Sequence, residues 1–138
     1  MSPNAVRAFL LEGRRTGKLG VAMKDGQPHV MPIWFVLDGD DLVFTTGADT
    51  VKGRWIQRDG RLCLCVDEEV APYAYVHVRG RASVSEDLGE LLHWATRIGA
   101  RYMGEERAEE FGRRNAVPGE LLVRLRPERV IAETGVAD

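Results

Sequence analysis

The sequence predicts a mainly β (α+β) fold, a small six-stranded antiparallel barrel with helices packed outside it. Two observations carry this prediction. Short apolar segments are separated by tight-turn signals such as Asp25-Gly26 and the run 38–41, and short strands joined by tight turns form antiparallel sheets. Six strands with one apolar face tend to close into a barrel, because closure removes the exposed edges. Without an internal repeat or a linker, residues 1–138 are expected to form one domain.

Helix and strand boundaries follow from local signals. Ser2 and Pro3 are a capping hydroxyl and a first-turn proline, and they begin a short helix that Gly13 ends, expected to cover an end of the barrel. Pro32 lies inside a predicted strand and lacks the amide that a ladder needs, so this strand lies at an edge or bulges there. The predicted strands span 18–23, 29–37, 42–46, 61–66, 73–85 and 119–130, and the later helices span 49–59, 87–103 and 105–115.

Composition excludes several classes of protein. The chain has 138 residues, 44% hydrophobic and 29% charged, which is typical of a soluble globular domain. A formal net charge of −2 gives no support for nucleic-acid binding. No apolar run has the length of a membrane span, and the first residues lack the layout of a signal peptide. We therefore expect a cytoplasmic protein that binds neither nucleic acid nor membrane.

Cysteines and histidines give no sign of a metal or a disulfide. Cys63 and Cys65 lie two apart in a predicted strand, a spacing awkward for a disulfide and too short for C-x-x-C chemistry. They are expected to be small core residues in a reducing compartment. His29, His77 and His93 share no metal-ligand spacing, so no metal site is predicted.

The segment 42–54 has the pattern of a phosphate-binding turn. A short apolar strand is followed by two hydroxyls, a turn and the start of a helix with two cations. Hydroxyls and free amides at a helix N-terminus donate hydrogen bonds to anions, and a lysine adds a full charge. The side chains concerned are Thr45, Thr46, Lys52 and Arg54. The alternative is a polar turn capped by Asp49 or Thr50, with both cations solvated.

Three segments in this order resemble a known family. The first is Gly20 to Phe35, a strand, Asp-Gly, and a second strand ending in Pro-x-Trp. The second is the hydroxyl and cation pattern just described, and the third is the long strand with alternating aromatics that closes on Gly80-Arg81-Ala82. Over nearly its whole length the chain resembles the split-barrel flavin and deazaflavin oxidoreductases, which are relatives of pyridoxamine 5′-phosphate oxidase, and within them the F420-dependent branch.

The resemblance implies a split β-barrel homodimer with two cofactor sites at the subunit interface. It implies coenzyme F420 as cofactor, with FMN as the alternative. The phosphate would be held by Thr45, Thr46, Thr50 and Lys52, with Arg54 nearby. The ring would lie along Met31, Pro32, Ile33 and Trp34, and Tyr73 and Tyr75 would come from the partner subunit. The alternative for the two tyrosines is a plain dimer contact, and for Trp34 it is ordinary core packing.

The expected function is an oxidoreductase that uses reduced F420 and passes a hydride to a small unsaturated or quinone-like molecule. The alternatives are an FMN-dependent oxidase or reductase, and a carrier that binds a flavin-like ligand without turnover. Pyridoxamine oxidation is not expected, because the chain is short and lacks the extra basic substrate contacts of that branch. A flavin-like cofactor brings its own hydride chemistry. No catalytic side chain is assigned, and Tyr75 and His77 are only candidates for a general acid.

Overall fold

Seven antiparallel strands form one continuous sheet in the computed structural model, which describes residues 1–138. The strands are β1 (Gly17–Ala22), β2 (Pro28–Ile33), β3 (Val36–Asp38), β4 (Asp41–Gly47), β5 (Arg61–Glu68), β6 (Ala74–Ser85) and β7 (Glu120–Glu133). The helices are α1 (Pro3–Leu11), α2 (Val51–Arg58), α3 (Leu88–Met103) and α4 (Ala108–Asn115), with a 3-10 turn at Glu105–Arg107 before α4. The predicted fold class, an antiparallel β structure with flanking helices, is confirmed.

The strand order explains how the sheet curls and where it stays open. The order is β2-β1-β5-β6-β7-β4-β3, so the two edge strands are β2 and β3. These two are consecutive in the chain and joined only by Trp34 and Phe35, which forces the edges of the sheet close together. They do not pair with each other, so the barrel is split along this line.

The structure corrects one predicted strand and agrees with the predicted position of Pro32 in it. The single strand predicted over 29–37 is two strands, β2 and β3, which raises the count from six to seven. Pro32 lies on the edge strand β2, as its missing amide requires. The break follows Ile33, and the backbone groups of Phe35 leave the ladder there and are bound by side chains of α3.

Strand alternation fills the barrel interior with apolar side chains. Alternate residues of β1, β4, β5, β6 and β7 are almost fully buried there: Leu19, Phe44, Leu64, Val76, Val78, Leu121 and Val123. Leu10 of α1 is 3% exposed and joins this cluster, so α1 packs on the barrel as expected. Cys63 and Cys65 are free thiols on the opposite face of β5 and only half-buried. The expectation that they belong to the core was therefore wrong.

A second apolar cluster lies outside the barrel, under α3. Val43 and Leu122, on the outer face of β4 and β7, pack against Leu91, Trp94 and Ile98 of the helix. The helix is capped by the Asp87 side chain, which accepts from the amide of Glu90, and ends at Gly104, whose φ is 93°. This packing places the C-terminal half of α3 beside the open line between β2 and β3.

No helix of the structure combines the length and the apolar character that crossing a bilayer would require.

Candidate functional site

A cavity of about 330 Å³ lies where the β2–β3 link, the end of β4, the start of α2 and the α3–α4 pair meet. It brings together five of the side chains predicted from sequence: Pro32, Ile33, Trp34, Thr45 and Lys52. The remaining wall consists of Thr16, Ala95, Ile98, Gly99, Phe111 and Asn115. The lining of the cavity therefore combines aromatic and apolar side chains with a hydroxyl and an ammonium group.

The β2–β3 link is held rigidly by two consecutive residues of α3. The amide of Phe35 donates to the Tyr102 hydroxyl over 3.2 Å, and the carbonyl of Phe35 accepts from Arg101 over 2.7 Å. The Tyr102 hydroxyl in turn donates to the carbonyl of Arg15 over 2.8 Å. Burial raises the pKa of Tyr102, so its hydroxyl stays a proton donor. The backbone at Phe35 and at Arg15 is thereby bound to the same helix, α3.

Trp34 forms the aromatic wall and is itself positioned by stacking. Its ring lies parallel to that of Tyr102, with centroids 5.1 Å apart and an interplanar angle of 3°, and is tilted by 55° against Phe111 at 5.8 Å. Trp34 keeps 37% of its surface exposed, which is more than core packing alone would leave. The exposed part faces a cavity, where a planar ligand can contact it.

The two threonines that follow each other at the end of β4 point to opposite faces of the sheet. Thr45 faces outward, lines the cavity and pairs across the ladder with Leu122. Thr46 faces inward, is 5% exposed, and contacts the Thr50 hydroxyl at 3.2 Å. The alternation of a strand requires this separation. Of the pair, only Thr45 presents its hydroxyl to the cavity.

Thr50 caps α2 and uses its hydroxyl locally. Its oxygen accepts from the amide of Gly53 over 3.0 Å and its single proton goes to the carbonyl of Gly47 over 2.7 Å. Thr46 must then be the donor in its contact with Thr50, since a hydroxyl has one proton to give. The proposal from sequence that Thr50 caps the helix agrees with these contacts. Both hydroxyl protons are engaged within the turn, so in this arrangement neither is free for an anion.

Gly53 allows α2 to pack closely on the end of β4. A Cβ at this position would lie 2.1 Å from the carbonyl oxygen of Gly47, far inside contact distance. Lys52, the residue before Gly53, lines the cavity. Arg54, two residues later, lies about 200° around the helix axis and is exposed on the other side.

Lys52 is the cation of the cavity. It is half-buried and makes no salt bridge within the chain. A half-buried ammonium group without a partner carries its charge into the cavity, where a ligand anion would be poorly screened from it. This is the strongest anion-binding group among the predicted residues.

The other predicted site residues lie outside this cavity. Met31 pairs with Leu19 across β2 and β1 and is 39% exposed. Tyr75 stands ten residues before Ser85 along β6, about 33 Å at the usual strand rise. Ser85 pairs with Leu122, and Leu122 pairs with Thr45, so the tyrosine end of β6 is remote from the cavity of its own chain.

The helical wall was missed by sequence reasoning. Ile98 and Gly99 of α3 and Phe111 and Asn115 of α4 line the cavity, yet none belongs to a recognisable motif. A signal existed in Gly99 and Gly112, two glycines in predicted helices. A Cβ on Gly99 would lie 2.8 Å from Phe111, and one on Gly112 would lie 2.0 Å from Thr96, so both mark the close crossing of α3 and α4.

A larger cavity of about 770 Å³ lies elsewhere, between α1 and β7, and none of the predicted site residues lines it. Nor does the structure gather three metal-ligating side chains at any point.

Comparison with known proteins agrees with this architecture. The family model described as pyridoxamine 5′-phosphate oxidase matches residues 2–133. No curated protein shows significant sequence similarity. The conserved hypothetical protein Rv2991 of Mycobacterium tuberculosis superposes with a TM-score of 0.86 at 22% identity, covering 98% of this chain and 86% of the other.

Two further solved structures show the range of proteins with this fold. An F420 reductase has a TM-score of 0.70 at 26% identity, over 90% of this chain and 94% of its own. The heme storage protein HutZ of Vibrio cholerae has a TM-score of 0.76 at 19% identity, over 99% of this chain and 98% of its own. Since the family model covers nearly the entire sequence, the chain belongs to the pyridoxamine 5′-phosphate oxidase family of split β-barrels.

Proposed function

We propose that this protein is an oxidoreductase that binds reduced coenzyme F420 in the cavity of Trp34 and Lys52. It transfers a hydride from the coenzyme to a small unsaturated or quinone-like molecule. The observation that carries the proposal is the lining of that cavity, which combines a stacked aromatic ring with an ammonium group that makes no salt bridge. A planar ring that carries an anionic arm needs both kinds of contact.

The residues present fit such a ligand. Lys52 has no internal partner and Thr45 has its hydroxyl on the cavity side, so an anionic group would gain a charge-assisted contact and a hydrogen bond. At about 330 Å³ the cavity of one chain lies at the lower end of the usual range for ligand pockets, roughly 300–1,000 Å³. It accommodates part of a cofactor of this size, and the rest of the site is expected from a second subunit.

The protein's share of the mechanism is binding, orientation and exclusion of water. Bound F420 or FMN supplies the hydride chemistry itself. Lys52 and Thr45 anchor the anionic end, and Trp34 and Phe111 offer apolar surface that keeps water from the reacting face. The rigid attachment of the β2–β3 link to α3 holds Trp34 in one orientation, which avoids reorganisation during the reaction.

The comparisons support both cofactors, one of them F420 and another FMN. The 26% identity to an F420 reductase over nine-tenths of the chain supports the deazaflavin. The family as a whole binds FMN and related flavin-like cofactors, which keeps an FMN-dependent oxidase or reductase as the second candidate. A carrier without turnover is the third candidate, and a structure of the same fold that is described as a heme storage protein supports keeping it.

A homodimer is part of the proposal. The outer face of β5 and β6 is covered by no helix of this chain, yet it carries Cys65, His77 and Tyr75 in adjacent ladder positions. The Nδ1 atom of His77 is enclosed there without a hydrogen-bond partner. Packing a second copy on this face would cover its half-buried side chains and bring Tyr75 near the other subunit's cofactor. Light scattering on the purified protein tests this, and a monomer at micromolar concentration contradicts it.

The decisive experiment is a pair of titrations of cofactor-free protein, one with F420 and one with FMN, followed by ring fluorescence. Tighter binding of F420, together with consumption of its reduced form when quinones or unsaturated ketones are added, supports the proposal. Tighter binding of FMN favours the second candidate, an FMN-dependent oxidase or reductase. Binding without turnover over the acceptor panel favours the carrier, and binding of neither cofactor contradicts all three.

A further inference from the structure

Glu120, the first residue of β7, lies near Lys52 and has no assigned role. It pairs across the ladder with Gly47, at the end of β4. Strand alternation puts its side chain on the outward face that carries Thr45, one ladder step away. Gly47 in turn lies against α2, since a Cβ on it would come within 3.3 Å of the Thr50 methyl group.

The carboxylate of Glu120 is incompletely satisfied. Its Oε2 atom is inaccessible to water and has no hydrogen-bond partner. Lys52 is close enough to favour the ionised form but makes no salt bridge with it. Buried carboxylates without full hydrogen bonding are costly, and each one in a native structure calls for an explanation.

Burial raises the pKa of Glu120 above its ordinary value, and the charge of Lys52 opposes this rise. Lys52 on α2 is the one charged side chain that acts appreciably on it. Thr46 and Gly47 on β4 are uncharged, and neither Glu86 and Asp87 beyond β6 nor the arginines at the end of α4 contribute. Burial is thus the larger influence on the pKa of Glu120, and Lys52 is the charged group that opposes it.

We propose that Glu120 competes with the ligand's anionic group for Lys52, so that binding of the anion is coupled to uptake of a proton by Glu120. This inference rests on the proposed function, since it assumes an anionic ligand at Lys52. When the anion arrives, Lys52 turns its charge to the ligand and a second negative charge comes near Glu120. Both changes favour the protonated carboxyl group, and the proton comes from solvent.

The sign of the pH effect follows from this scheme. Glu120 is already protonated below its pKa in the free protein, and the anion then binds at its tightest. Between the pKa of the free protein and the higher pKa of the complex, the dissociation constant rises by up to about tenfold for each pH unit. Above the second pKa it becomes constant again. Glu120 is thus a positioning residue that acts through Lys52, and it tunes ligand affinity to pH.

Calorimetric titration with F420 and with FMN, each in two buffers of different ionisation heat, measures the protons taken up per ligand bound. Measured over a series of pH values, wild-type protein should take up more protons per ligand bound than the E120Q variant, which cannot titrate, with the largest excess between the two pKa values of Glu120. The comparison is necessary because the phosphate monoester of FMN itself titrates near pH 6. The matched control is E128Q, on the same strand and exposed, which should behave as wild type.

Equal proton uptake by wild type and E120Q, with either ligand still bound, overturns the inference and leaves the proposed function intact. Binding of neither ligand by wild type overturns both. If E120Q fails to fold, carbon-13 titration of the Glu120 carboxyl in wild-type protein replaces it. The pKa of that group should be higher in the ligand complex than in the free protein, and an unchanged or lower pKa contradicts the coupling.

Discussion

Removing one hydroxyl group, with Tyr102→Phe, should cost far more stability than a tyrosine-to-phenylalanine change at the surface. The Tyr102 hydroxyl accepts from the amide of Phe35 and donates to the carbonyl of Arg15. Phe35 is 0% exposed, so water cannot replace the lost partner. The aromatic ring itself is kept, and with it the stacking on Trp34. The variant therefore isolates the two hydrogen bonds of the Tyr102 hydroxyl, one with the β2–β3 link and one with Arg15.

The magnitude follows from the two groups that are left behind. An unpaired buried amide such as that of Phe35 costs about 1–3 kcal/mol. The carbonyl of Arg15 belongs to a half-buried residue, and losing a hydrogen bond there adds about 0.5–1.5 kcal/mol. Together they predict a loss of about 1.5–4.5 kcal/mol. With a urea m-value of about 2 kcal/mol per molar, the unfolding midpoint should fall by about 1–2 M.

The assay is urea unfolding followed by far-ultraviolet circular dichroism, at several protein concentrations so that dimerisation is accounted for. Tyr73→Phe is the matched control, because Tyr73 is 46% exposed and its hydroxyl makes no hydrogen bond in the chain. It should change stability by less than about 0.5 kcal/mol. If Tyr102→Phe is no more destabilising than this control, the link is not held by the Tyr102 hydroxyl and the account of Trp34 positioning fails.

Three further outcomes are expected. Lys52→Ala should raise the dissociation constant of the cofactor about 10- to 100-fold, or roughly 1.5–3 kcal/mol, in a fluorescence titration, while Lys24→Ala, exposed outside the cavity, leaves it unchanged. Gly53→Ala forces a methyl group against the Gly47 carbonyl and should destabilise the fold by about 1–3 kcal/mol in urea; an unaltered midpoint would show that α2 moves freely. The pKa of Glu120 is raised in the folded chain, so the ionised carboxylate destabilises the fold. The stability of E120Q relative to wild type should therefore increase as pH rises through the ordinary pKa of a glutamate. The difference should level off above the raised pKa of the folded chain. A pH-independent difference between these two proteins, measured by urea unfolding, contradicts that pKa direction.

Local signals predicted most of the framework because their physical causes are local. The Ser2 hydroxyl caps α1 by accepting from the amide of Ala5, three residues away. The Asp25-Gly26 turn joins β1 and β2, with Gly26 at a φ of 87° that favours glycine. The opposite orientations of Thr45 and Thr46 also follow from strand alternation alone, and could have been predicted.

The break between β2 and β3 could not be predicted in the same way. An uninterrupted apolar segment around Trp34 and Phe35 reads as one strand, and nothing nearby indicates where its ladder ends. The groups that receive the freed backbone of Phe35 are Arg101 and Tyr102, more than sixty residues later in the chain. Which distant side chain satisfies a backbone group is a property of the packed molecule.

The sequence by itself determined the antiparallel barrel, the capped helices, the family resemblance and the cation Lys52 next to a threonine turn. These depend on periodicity, turn chemistry and short motifs, all of which act over a few residues. Only the tertiary structure decided that α3 and α4 form the second wall of the cavity and that Glu120 comes to lie beside Lys52. It also decided that the Thr46 hydroxyl donates to Thr50 and the Thr50 hydroxyl to the carbonyl of Gly47. These depend on which surfaces meet when the sheet curls, because charge and hydrogen bonding act through space between segments far apart in the chain.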